Sequence, residues 1–102
     1  MSRWTFADPP NLIVITVRQI RLAGKPVLYV AHDGEDGGWQ FLTGGRFEAA
    51  DALLVTLKSM IEHDPSLAEL ADLPIGWHAQ RDNRESKWQR GPQEVASDED
   101  TD

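Results

Sequence analysis

His32 and Asp33 stand side by side, and Glu35 and Asp36 follow in the stretch HDGEDGGWQFLTGG, residues 32–45. An imidazole next to a carboxylate is the local arrangement of an oriented general base. Acids interleaved with glycines also suggest a cation loop or a phosphate cradle. Each chemistry makes demands that the spacing either meets or fails. A calcium loop with Gly38 at its invariant glycine places Asp33 first and Glu35 third. It then puts Gly37 and Gly44 where the fifth and twelfth ligands are required. A transition metal would find only His32, because His63 and His78 lie far along the chain and share no ligand spacing with it. A phosphate cradle here would be lined by Asp33, Glu35 and Asp36, which repel anions. Turn chemistry remains: a bend that delivers Trp39 and Phe41 into a core. The serines at 2, 59, 66, 86 and 97 occupy no Gly-x-Ser-x-Gly elbow. No pair of carboxylates has a spacing that indicates acid/base work. The expectation is a non-catalytic chain with no cofactor and no metal.

Composition bounds what must position these residues. A chain of 102 residues with 40% apolar content supports one core. It has no cysteine, so disulfides, thiolate metal sites and cysteine nucleophiles are excluded, and a cytoplasmic protein is expected. The start, MSRWTFADPPN, lacks the apolar run of a signal peptide. The longest apolar run, LIVITV at 12–17, falls far short of the about 20 residues that span a bilayer, so no membrane partner is expected. The net charge of −7 is unevenly placed. Glu94, Asp98, Glu99, Asp100 and Asp102 crowd residues 91–102, leaving ten bases against twelve acids in residues 1–90. The sequence thus reads as a single domain over 1–90, with an N-terminal arm at 1–10, and a disordered acidic tail at 91–102. An acidic balance disfavours nucleic acid, whose binding requires basic groups that displace counterions, and suits a protein partner with a basic surface.

Turn signals divide the body. LIVITV at 12–17 is rich in β-branched residues that suit a strand. Its apolar phase slips from Ile13, Ile15 and Val17 to Ile20 and Leu22, which predicts a bulge or break near Arg18-Gln19. After the AGKP turn, residues 26–32 read as a central strand, apolar on both faces, and 38–43 as the strand that carries Trp39 and Phe41. Segment 46–63 reads two ways. Phe47, Ala50, Leu54, Leu57 and Ile61 recur at helical spacing, while Leu53, Val55 and Leu57 alternate as a strand. Asp64-Pro65 ends that element, Ser66 is placed to cap a short helix at 66–71 with Glu69 in box position, and 76–82 reads as an outer strand.

The ordered set Asp36, Gly38, Trp39, Phe41, Gly44, then Asp64-Pro65-Ser66-Leu67, then Leu73-Pro74-x-Gly76 and Ala79-x-Arg81 resembles the immunity-protein-like domain family. These are small bacterial proteins, formerly a domain of unknown function, with an Asp-Ser-Gly-Trp-x-Phe hallmark. The likeness covers roughly residues 12–82. The chain departs from the hallmark with Gly37 in place of Ser, and has His32-Asp33 where an Arg followed by an acid is typical. The resemblance implies a small α+β domain with a mostly antiparallel sheet, strands near 12–17, 26–32, 38–43, 53–57 and 76–82, and short helices near 58–64 and 66–71. It resolves 53–57 as a strand leading into a helix. It also implies a protein-binding, immunity-like role; a small enzyme and an acidic mimic of nucleic acid are the alternatives. Candidate contact residues are His32, Asp33, Asp36, Trp77, Arg81 and Trp88, since Trp and Arg are over-represented among interface hot spots. Trp39 is expected in the core, and Trp88, in a polar run with Arg84, Lys87 and Arg90, at the surface. The oligomeric state is open, with a monomer favoured.

Overall fold

A computed structural model describes residues 4–93. The tail expected at 91–102 lies, from residue 94 on, outside the described residues, as do the first three residues of the arm. The elements run β1 (Ile13–Val17), α1 (Arg18–Arg21), β2 (Tyr29–His32), β3 (Trp39–Leu42), β4 (Ala52–Thr56), α2 (Leu57–His63), β5 (Trp77–Gln80) and β6 (Gln89–Pro92). Two 3-10 segments, Ala49–Asp51 and Pro65–Leu70, precede β4 and follow α2. The six strands form one sheet in the order β4-β1-β3-β2-β5-β6. Every neighbouring pair is antiparallel except β1 with β3. This is the small α+β fold with a mostly antiparallel sheet.

The register fixes two faces, because residues directly opposite in neighbouring strands share a side. Val14 lies opposite Val55, and Val30 opposite both Phe41 and Ala79. Their side chains join Ile20, Leu57, Met60, Leu67 and Leu70 from the helical segments in one core, all of them at most 1% exposed except Val55, which is partly buried against it. Ile15 lies opposite Leu54 and beside Gln40, which lies opposite Ala31, itself opposite His78. On that second face Ile13, Ile15 and Leu54 are exposed, while Val17, Ala31 and Leu42 are buried.

The slip of phase near Arg18 is a change of element. One turn of helix, α1, carries Ile20 into the core without a strand having to reverse its buried face. Within β1 the core side is Val14 and Thr16, while Ile13 is 54% and Ile15 36% exposed. Thr16 is buried because its hydroxyl donates to the Phe41 carbonyl at 2.8 Å. β4 is a strand, and Leu57 belongs to α2. Thr56 ends the strand by capping that helix, its hydroxyl accepting the Ser59 N–H at 3.1 Å. The following 3-10 helix is capped by Asp64, not Ser66: Asp64 accepts both the Ser66 N–H and the Ser66 hydroxyl, and Pro65 occupies the first position. β6 has no counterpart in the sequence reading, and it takes in Gly91 and Pro92, which that reading assigned to the tail. No described helix is long and apolar enough to cross a membrane.

Candidate functional site

The acidic stretch Asp33 to Gly38 is a hairpin turn. Asp33 N–H donates to the Gly38 carbonyl at 2.8 Å, and Gly37 N–H donates back to the Asp33 carbonyl at 3.0 Å. Asp33 Oδ1 accepts the Glu35 N–H and Asp36 Oδ1 accepts the Gly38 N–H, at 2.7 and 2.8 Å. Both aspartates therefore shape the bend, as short polar side chains do in Asx turns. Gly37 has φ of +74°, in the left-handed region that favours glycine. Among the described residues no three metal-ligating side chains converge.

The turn delivers Trp39 into the interior, where it is 2% exposed. Its ring stacks on His32 at 3.9 Å and on Phe41 at 6.0 Å, and meets the edge of Phe6 at 5.3 Å. Its Nε1–H donates to Asp8 Oδ2 at 2.7 Å, and Trp4 also donates to the backbone of Asp8. The N-terminal arm is thereby folded back over the sheet.

His32 is buried, at 9% exposure, and since the Leu73 carbonyl at 2.8 Å is the one partner of its Nδ1 among the described residues, that nitrogen carries the proton and donates. Asp33 turns away to its own loop, so the two adjacent residues do not make an oriented base. Trp77 lies opposite His32, half-buried against the core.

Arg81 is likewise internal, at 7% exposure. Its Nε–H donates to the Val27 carbonyl at 3.0 Å, one terminal nitrogen to Ser66 Oγ at 3.2 Å, and the other to Asp64 Oδ2 at 3.1 Å. Trp88 covers the guanidinium at 4.1 Å, half-buried, with its own N–H buried and unpartnered among the described residues. Exposure was expected there because the run around Trp88 is polar; the cation that attracts the ring lies elsewhere in sequence. The Asp64-Pro65-Ser66 segment and Arg81 thus meet as one structural joint. Leu73, Pro74 and Gly76 hold another, since the Gly76 N–H donates to the His32 carbonyl at 2.7 Å and the Trp77 N–H to the Pro74 carbonyl. Of the six candidate contact residues, His32 and Arg81 are buried, Asp33, Trp77 and Trp88 are half-buried, and only Asp36 is exposed; both aspartates serve the turn.

The exposed surface that the sequence reading missed is the second face of the sheet. Leu54 is 70% exposed beside Ile15 and Ile13. Farther along the same face Tyr29 stacks on His78 at 5.6 Å, and Tyr29 also lines a cleft of about 470 Å³ with Thr43, Gln80, Asp82 and Gln89. The end of that face nearest Ile13 carries the acidic turn, level with Gly38 in the parallel β1–β3 pair. The chain also reaches Gln93 there, where the Gln93 N–H donates to the Gly76 carbonyl. The signal was legible in principle: LIVIT and LLV supply apolar residues in both phases, more than one buried face uses.

No protein-family model matches this chain, and neither a curated protein nor a solved structure does.

Proposed function

We propose that this chain is a non-catalytic, cytoplasmic protein-binding module, immunity-like in the sense of the family it resembles, and that it binds through the open face of its sheet. One observation carries the reading: Ile13, Ile15 and Leu54 lie side by side and exposed on the face of the sheet opposite Val14, Val30 and Phe41. Grouped exposed apolar side chains on a soluble domain mark interaction surfaces, whereas scattered ones need no explanation. Asp33, Glu35 and Asp36 at one end of this face set the sign of the partner, favouring a basic surface that such charges steer and select. The contact chemistry is thus aliphatic and acidic; Trp77 and Trp88, which sequence statistics favour as anchors, are half-buried against the core.

The test is capture from native lysate at low and high salt, with mass spectrometry, using three forms of the protein. Wild type should retain one stoichiometric basic protein that high salt releases. Ile13→Ser with Ile15→Ser should lose it. Asp33→Asn, Glu35→Gln and Asp36→Asn together should weaken it while preserving the turn's acceptors. A partner retained equally by all three forms would place the binding surface elsewhere.

A further inference from the structure

The two edges of the sheet are built differently. β6 (QRGP) carries Arg90 and ends in Pro92, which has no N–H to offer; charge and proline are the usual guards of an exposed edge. β4 (ALLVT) has no charge, no proline and no break in its register with β1. The hydrogen-bond alternation shows which of its groups point outward. Leu57 N–H donates to the Leu12 carbonyl at 2.8 Å, so residues 12 and 57 are a bonded pair. Counting along the antiparallel register, Val14–Val55 and Thr16–Leu53 are bonded pairs as well, and the pairs between them are not. Ala52, Leu54 and Thr56 therefore turn their N–H and C=O groups away from β1.

Two of these outward groups are used within the chain. Ala52 N–H donates to the Ala49 carbonyl, and the Thr56 carbonyl accepts the Ser59 hydroxyl at 2.8 Å. The N–H groups of Leu54 and Thr56 and the carbonyls of Ala52 and Leu54 remain, and no backbone bond among the described residues reaches them from outside the sheet.

We propose that a second copy of this chain pairs with β4, antiparallel, about a twofold axis at Leu54. In that register Leu54 exchanges both hydrogen bonds with Leu54 of the other copy, and Thr56 N–H donates to the other copy's Ala52 carbonyl. The bond missing from an ideal ladder would run from Ala52 N–H to the Thr56 carbonyl. Those are the two groups each chain has already satisfied internally. Symmetry makes the gaps coincide, which an unrelated strand would match only by accident. Because side chains stand perpendicular to the sheet, pairing joins the two Ile15–Leu54 stripes into one continuous open face. The guarded β6 edge closes the assembly at two copies. The dimer does not depend on the partner reading, and either can fail alone.

Sedimentation of the full chain over a dilution series tests it, together with hydrogen exchange read residue by residue. The mass should rise from 11.4 kDa toward twice that value with concentration. Leu54→Lys, at an exposed position, should weaken association about tenfold or more by setting like charges opposite each other, with the melting temperature of dilute, monomeric protein unchanged. In dilute protein the Leu53 and Val55 amides should be protected while those of Leu54 and Thr56 exchange; at high concentration the latter two should slow. A single-chain mass throughout, filaments, or a dimer in which the Leu54 and Thr56 amides exchange as in the monomer would overturn the proposal.

Discussion

The two faces of this sheet divide the labour in a way residue types alone do not reveal. One side holds Trp77, His32 and Trp39 in a row and, beyond them, Arg81 under Trp88: the ring, imidazole and guanidinium groups usually credited with function. All of that chemistry is used for holding the fold. The other side carries the exposed Ile13, Ile15 and Leu54 and the Tyr29–His78 stack. Buried polar groups must find partners or they cost stability, so a histidine and an arginine drawn inside become fixed joints. Apolar groups left outside make no such demand on the fold, which frees them for association.

The sharpest way to break that comparison is to remove the central ring of the covered face. Trp39→Ala leaves a cavity among Phe6, His32 and Phe41 and strands Asp8 without its indole donor. A loss of about 4 kcal/mol is expected, measured by urea unfolding. A loss below about 1 kcal/mol would mean the aromatic row is not structural. Arg81→Met comes next. It leaves Asp64 without its cation and Val27 without a donor, while retaining some of the stem's packing. Removing one member of a buried pair commonly costs about 3–5 kcal/mol; with Asp64 partly exposed, the lower end is expected. The double variant Asp64→Asn with Arg81→Met should be less than additive, since the two share one interaction.

The open face should behave oppositely. Ile15→Ser and Leu54→Ser are each expected within about 0.5 kcal/mol of wild type, as for surface substitutions away from special features. The same changes should alter association. A large stability loss on this face, with association intact, would collapse the distinction between the two sides.

Several elements were legible in the sequence because local pattern and tertiary demand agreed. Gly38 before Trp39-x-Phe41 announces a turn feeding an alternating strand, and Asp64-Pro65 announces a helix boundary. β1 was legible as a strand but not in its orientation: Ile13, Val14, Ile15 and Val17 are apolar in both phases, and only the partner strands decide which phase is covered. β6 was illegible for a stronger reason. Gln89-Arg90-Gly91-Pro92 contains no strand-favouring residue, so it owes its form to pairing with β5 and to side chains that anchor it. Arg81 was visible as a charge, but nothing near it in sequence shows that Asp64, Ser66 and Val27 surround it. The exposed aliphatic face was missed because aromatic and charged residues were weighed as anchors, whereas the surplus of aliphatic residues in β1 and β4 was the stronger clue.

The smallest expected effect lies at the covered side of β6 and sharpens the comparison at its weakest point. Arg90 stands opposite Ala79 and reaches back to Asp72 at 2.7 Å and to the Glu69 carbonyl at 2.8 Å, tying the polar edge strand to the helical layer. The hydrogen bond and charge of that guanidinium hold the Asp72 carboxyl below its ordinary value. A carboxylate whose folded pKa is depressed stabilises the fold above its unfolded pKa and loses that contribution as pH falls through the folded one. Both groups are solvated, so the term is slight and salt screens it. Wild type should therefore lose slightly more stability than Arg90→Gln as pH drops through the carboxylate range, and the difference should shrink in high salt. Thermal melts of the two proteins across that range measure it. Coincident curves at low salt would show that β6 is held by its ladder with β5 and by Trp88 alone, making it an edge fastened by packing in the manner of the rest of the covered face.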